Sequence, residues 1–171
     1  MPGDAVPRPE LDAGAILTVL VEEGVRFVVI GGFAAIAHGS PFPTEDIDIT
    51  PDGERENLTR LSAALRTLGA RVRAEGVDGG LPFAHDADSL AASRVWNLTT
   101  DHGDLDISFV PNGTTGYDDL VRDATDIAAY DVLVPTASLA DIIRSKQAAN
   151  RPKDQRVLPV LREILASRFD R

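Results

Sequence analysis

The sequence has no cysteine, so a disulfide framework, thiolate chemistry and cysteine-ligated zinc are all excluded. It has only three histidines, isolated from one another, which argues against a histidine-based zinc site. No apolar run approaches the roughly 20 residues that a membrane-spanning helix needs. The first residues, Met1-Pro2-Gly3-Asp4, lack a basic region followed by an apolar core, which reads against a secretory leader and for a cytoplasmic protein with no membrane partner. There is no internal repeat and no low-complexity segment. Positive charge is scarce: the formal net charge is −10, which makes the surface as a whole a poor generic binder of nucleic acid, since that affinity comes mainly from neutralising phosphates. Lysine is scarcer still, with only Lys146 and Lys153 among 17 basic residues.

What is present is an ordinary globular composition, 43% apolar and 26% charged over 171 residues, enough for one well-buried domain. Residues 1–10, with three prolines, read as a flexible lead, and 11–171 as a single domain. The charge is unevenly spread, because from Arg144 to the end eight basic residues face three acidic ones. An acidic body thus carries a basic tail.

The stretch that organises the chain is Val28-Val29-Ile30-Gly31-Gly32-Phe33-Ala34-Ala35-Ile36-Ala37-His38-Gly39, followed at once by Thr44-Glu45-Asp46-Ile47-Asp48-Ile49. Residues 26–30 form a short β-branched run closed by two glycines, a buried strand breaking into a turn where the backbone can approach a ligand. Residues 33–37 can form a short helix whose first amides favour phosphate. In the second strand Asp46 and Asp48 share a face while Ile47 and Ile49 turn to the core. Two such carboxylates repel each other unless a cation lies between them, and hard oxygen ligands of this kind suit Mg²⁺. An isolated Asp-x-Asp can equally be a solvated strand edge.

Around this stretch the periodicity predicts helices over 11–24, 54–68, 117–124, 138–150 and 152–167, the last two forming a C-terminal helical segment over about 138–168. Strands are predicted over 71–75, 95–99, 105–110 and 132–134, with 95–99 and 105–110 paired as a hairpin through Asp101-His102-Gly103. Residues 76–93, with Gly79-Gly80 and Pro82, read as a long loop. Alternation in the 105–110 strand puts Asp104 and Asp106 on one face and Leu105 and Ile107 on the other.

The order strand, Gly-Gly turn, helix, Asp-x-Asp strand and a later strand with a third aspartate resembles the nucleotidyltransferase superfamily with the DNA polymerase beta-like fold. The matching residues are Ile30-Gly31-Gly32, Asp46-Ile47-Asp48 and Leu105-Asp106-Ile107. More narrowly, Gly31 to Gly39 with Thr44-x-Asp46-Ile47-Asp48, and Ser138-Leu139 through Ser145-Lys146 to Arg151-Pro152-Lys153-Asp154, resemble AbiEii-type toxin-antitoxin nucleotidyltransferases. Phe42 stands where such relatives often carry an arginine.

The resemblance implies an α/β (α+β) minimal nucleotidyltransferase fold, a mixed central sheet flanked by helices with further helices at the C-terminal end. It also implies NTP binding, ATP binding included, and transfer of a nucleotide from the NTP to a tRNA 3′ end or other RNA, or to a protein acceptor, with the base left open. Two Mg²⁺ ions, or Mn²⁺ in their place, would be held by Asp46, Asp48 and Asp106, with Asp106 on the acceptor side and Asp104 in reserve for its role. Gly31, Gly32 and Thr44 would contact the nucleotide. Lys146, ahead of Lys153, would supply the charge that meets the leaving pyrophosphate. Asp154 is expected to pair locally or cap the last helix, and His38 to pack or cap. The family would make the chain a toxin with a cognate antitoxin as partner. The rival is a catalytically degenerate binding partner or antitoxin-like protein, whose hallmark would be a lost carboxylate. A sugar transferase using Asp-x-Asp would need a larger nucleotide-sugar domain.

Overall fold

A computed structural model describes residues 8–170. Residues 1–7 of the proline-containing lead and Arg171 of the basic tail lie outside the described residues. The elements run α1 (Ala13–Glu22), β1 (Phe27–Ile30), α2 (Gly31–Ala37), β2 (Asp46–Pro51), α3 (Arg55–Thr67), β3 (Arg71–Ala74), β4 (Val77–Leu81) and α4 (Ala87–Ala91). There follow β5 (Val95–Thr100), β6 (Gly103–Ser108), α5 (Tyr117–Val121), β7 (Thr125–Ala129), β8 (Val132–Thr136), α6 (Leu139–Ala149) and α7 (Pro152–Ser167). All the strands join one eight-stranded mixed sheet in the order β4-β3-β5-β6-β2-β1-β8-β7. The pairs β2/β6 and β1/β8 are parallel, and the rest are antiparallel. This is the α/β architecture that the motif order implies, with α6 and α7 as the C-terminal helices.

The central strands are buried because alternate residues feed a single core. Ile47, Ile49, Leu105, Ile107 and Leu98 are fully enclosed together with Ile16, Leu17 and Leu20 of α1 and Leu58, Leu61 and Leu65 of α3. Each such side chain contributes about 1.5–3 kcal/mol by leaving water. The intervening residues of β2 and β6 are the aspartates, which the same alternation turns away from that core. No helix among the described residues is long and apolar enough to cross a membrane.

Three stretches depart from the expected pattern. The 76–93 stretch is not all loop: β4 pairs with β3 through a tight turn at Glu75-Gly76, and α4 is a five-residue helix capped by Asp86 and Ser89. Gly80 sits against β3 so closely that a Cβ there would lie 2.8 Å from the Val72 carbonyl oxygen, so a glycine-rich strand is what the packing demands. β7 pairs with β8 through Tyr130-Asp131, both at positive φ (49° and 67°). That is the geometry of a two-residue hairpin turn, here without the glycine that normally signals it. Finally, α2 starts at Gly31 itself, two residues before the expected Phe33.

Candidate active site

The parallel pairing of β2 with β6 sets Asp46 beside Asp104 and Asp48 beside Asp106. A carboxylate oxygen from each of Asp46, Asp48 and Asp106 lies within 4.8 Å of the other two. Antiparallel β1 brings Ile30 opposite Asp48, so the chain turns into α2 directly against that carboxylate. Gly31 has φ +70°, and a Cβ there would fall 2.2 Å from Asp48 Oδ2. A Cβ on Gly32 would lie 3.0 Å from Thr44 Oγ1. Thr44 in turn donates its hydroxyl to the Asp46 carbonyl and to Asp46 Oδ1, both at 3.2 Å. The helix has no side-chain cap, so the amides of its first turn are left without intrahelical partners beside the carboxylates.

These groups line a cleft of about 620 Å³. Its far wall comes from α6 and the start of α7 and carries both lysines, Lys146 and Lys153, together with Arg151. Lys146 Nζ stands 3.7 Å from Asp154 Oδ1. Asp154 is fully buried and accepts from the Arg151 backbone amide at 3.1 Å and from Arg151 Nε at 2.8 Å, capping α7 while anchoring two cations. Those cations and the Arg151 amide hold its carboxyl below the usual range against the opposing effect of burial. Beneath α6, Asp119 accepts from Arg144 Nη2 at 3.1 Å and from the Thr115 amide at 3.0 Å, which hold its pKa down at about 2. That pairing ties α5 and the segment before it to the helix that carries Lys146.

The electrostatics mark the carboxylates as a strained cluster. Burial, then the charges of Asp46 and Asp106, push Asp48 up from 3.8 to about 7, and Lys153 and Lys146 partly offset the rise. Asp106 is also raised, chiefly by burial, with Arg73 opposing the shift. Three hard oxygen donors that repel one another in a half-buried setting fit a divalent cation such as Mg²⁺.

Asp104 stands outside the cluster. It is buried and paired with Arg8 at 2.8 Å and Arg73 at 3.4 Å. His38 lies at the end of α2, where Nε2 is 2.8 Å from the Ala137 carbonyl oxygen and Nδ1 3.1 Å from Arg168 Nη2. Burial lowers its pKa, so a neutral ring donates from Nε2 and accepts at Nδ1. It ties α2 to the segment before α6 and to the end of α7. Phe42 lines the cleft and is 38% exposed.

Sequence reasoning missed Arg73, which reaches from β3 across β5 to donate to the Leu98 carbonyl at 2.9 Å and to Asp106 Oδ1 at 2.6 Å. The signal was Arg71-Val72-Arg73, whose alternation sets both arginines on one face of a predicted strand.

No family model matches this chain, and no curated protein matches it in sequence. Solved structures do match its fold. The lincosamide antibiotic adenylyltransferase LnuA, in its lincomycin-bound crystal structure, superposes with a TM-score of 0.59 at 15% identity, covering 91% of this chain and 99% of that one. The antibiotic-resistance factor ANT(2'')-Ia, solved in solution, gives 0.50 at 22% identity over 91% of this chain and 90% of that one. The chain has the fold of these nucleotidyltransferases.

Proposed function

We propose that this chain is a metal-dependent nucleotidyltransferase that moves the nucleotide of an NTP, ATP first among candidates, onto a hydroxyl group. The observation that carries the reading is the meeting of Asp46, Asp48 and Asp106 within 4.8 Å at the point where the Gly31-Gly32 backbone enters α2. In the reaction the acceptor hydroxyl oxygen bonds to the α-phosphorus. The α–β bridging P–O bond breaks, and pyrophosphate leaves with the bonding pair. Two Mg²⁺ ions, or Mn²⁺ in their place, supply charge stabilisation at the attacking and leaving oxygens when bound.

The chain's own residues do the rest. Asp46, Asp48 and Asp106 would hold the ions, and Asp106, on the acceptor side, would also take the proton of the acceptor hydroxyl. The Gly31 and Gly32 amides approach the phosphates, where no side chain stands in the way. Thr44 holds Asp46 in place while lying against the nucleotide. Lys146 and Lys153 meet the charge that develops on pyrophosphate.

A tRNA 3′ end or a protein as acceptor, and a toxin role with a cognate antitoxin, rest on the AbiEii-type motifs alone. The net charge of −10 weighs against a large RNA footprint. The lincomycin bound in the LnuA structure makes a small hydroxyl compound the second reading. The degenerate-partner alternative has no lost carboxylate to support it.

The test is to incubate the purified chain and Mg²⁺ with each α-labelled NTP, offering total tRNA, a protein lysate and small hydroxyl compounds in turn. Label transfer with pyrophosphate release, lost in Asp48→Asn, is the expected result. Pyrophosphate release that persists in Asp48→Asn would refute the site.

A further inference from the structure

The sheet order divides the cleft into two unlike halves. The carboxylates sit on β2 and β6, in the middle of the order β4-β3-β5-β6-β2-β1-β8-β7. On the β1 and β8 side lie the Gly31-Gly32 turn and the helices bearing Lys146, Arg151 and Lys153, the basic residues that line the cleft among the described residues. Triphosphate chemistry belongs there. On the other side, beyond Asp106, the floor is β5.

In that second half the charges are paired with one another. Asn97 stands directly opposite Asp106 in the β5/β6 register, so both side chains point to the cleft face. Val95 is opposite Ser108 on the same face. Val95 is 50% and Val110 43% exposed, and both line the cleft with Asn97. Asn97 is exposed, and its amide has no hydrogen-bond partner among the described residues.

Apart from the metal cluster itself, the carboxylates on this side are paired within the protein: Asp106, which also faces the cluster, meets Arg73 at 2.6 Å, and Asp104 meets Arg73 at 3.4 Å and Arg8 at 2.8 Å. Asp141, on the α6 wall, is paired with Arg144 at 3.0 Å. Among the described residues, a polycation finds no unpaired carboxylate on this floor, and a polyanion no unpaired base. Glu45, exposed where the chain enters β2, is the cleft-lining acid outside the cluster with no ion pair among the described residues.

We propose that the half of the cleft floored by β5 and β6 binds an uncharged hydroxyl compound as the nucleotide acceptor, with Asn97, Val95 and Val110 deciding which one. This rests on the nucleotidyl-transfer reading above. The acceptor lays an apolar face on the two valines and a polar group on the Asn97 amide, which brings a hydroxyl to Asp106. That hydroxyl oxygen forms the new bond to the α-phosphorus, its proton passes to the Asp106 carboxylate, and pyrophosphate departs toward the lysines.

The experiment offers the full chain, with Mg²⁺ and each α-labelled NTP, three acceptor classes: a library of neutral nucleosides and glycosides, tobramycin as a polycation, and total tRNA as a polyanion. Transfer to a neutral compound is expected. Asn97→Ala should raise that acceptor's KM about tenfold while the NTP KM moves by less than about twofold, and Val95→Asp should do the same. Glu45→Gln should leave transfer to the neutral compound unchanged. Transfer confined to tobramycin or to tRNA would overturn the proposal. So would NTP binding without transfer to any neutral compound, or an acceptor KM that neither floor variant moves. A chain that shows no Mg²⁺-dependent thermal shift with any NTP fails at the underlying reading instead, and the two failures are thereby told apart.

Discussion

Gly31 opens α2 directly after β1, the antiparallel neighbour of the strand that carries Asp48, and the missing side chain of one makes room for the carboxylate of the other: a Cβ on Gly31 would lie 2.2 Å from Asp48 Oδ2. At φ +70° the position is also strained for any residue with a Cβ. Gly31→Ala should therefore displace Asp48 as well as strain the turn. The expected cost is at least about 1 kcal/mol, or about 2–4 °C in melting temperature, with loss of metal-dependent NTP binding. A variant that melts lower yet binds Mg²⁺ and NTP as tightly as the parent would show that the close approach serves packing alone.

The raised pKa of Asp48 gives a pH dependence with a definite sign. Its carboxyl titrates at about 7 in the folded chain against 3.8 ordinarily, so between those values the folded state holds a proton that the unfolded state has lost. Stability of the metal-free protein should fall as pH rises from about 4 to 7, by a few kcal/mol in all, and level off above. Asp48→Asn should flatten that profile and melt higher than the parent at pH 8 without metal. Adding Mg²⁺ should reverse the order, because only the parent gains from the ion. Melting curves from pH 5 to 8, with Mg²⁺ and with EDTA, check both; a metal-free profile as steep in Asp48→Asn as in the parent would contradict the assignment.

The family resemblance puts Lys146 ahead of Lys153 as the cation that meets pyrophosphate. Both line the cleft, and both offset the rise at Asp48, with Lys153 the stronger. Lys146 is partly engaged by Asp154, whereas Lys153 is exposed and forms no ion pair among the described residues. Lys153→Ala should therefore weaken NTP binding at least as much as Lys146→Ala, by about three- to tenfold each. Calorimetric titration with a non-hydrolysable NTP would show it, and an unchanged affinity in both variants would make these lysines a solvated wall.

How much of this was legible follows from where the signal lay. β1 and α2 announce themselves as a continuous apolar run broken by a glycine pair, and β2 and β6 as apolar residues alternating with aspartates, a pattern that few other settings than a half-buried strand permit. The hairpins β3-β4 and β7-β8 were opaque for opposite reasons. Val77 to Leu81 is a polar, glycine-rich edge with no apolar face to bury. Tyr130-Asp131 turns the chain at positive φ without glycine, so nothing marked the reversal. Arg73 was hidden because its partner Asp106 lies 33 residues away and meets it only once β5 is interposed between β3 and β6. The choice between Asp104 and Asp106 could be weighed from their neighbours in sequence, but Arg8 and Arg73 appear beside Asp104 only in three dimensions.

The central claim is that this cleft binds an NTP through metal held by Asp46, Asp48 and Asp106, and thermal unfolding tests it without knowledge of the acceptor. A ligand at a hundred times its dissociation constant stabilises the folded state by about 2.7 kcal/mol, which for a domain of this size is about 5–10 °C. One NTP with Mg²⁺ should produce that shift, EDTA should abolish it, Asp48→Asn should shrink it, and Asp104→Asn should change it little. No shift with any of the four NTPs at millimolar concentration, or a full shift in the presence of EDTA, would contradict the account.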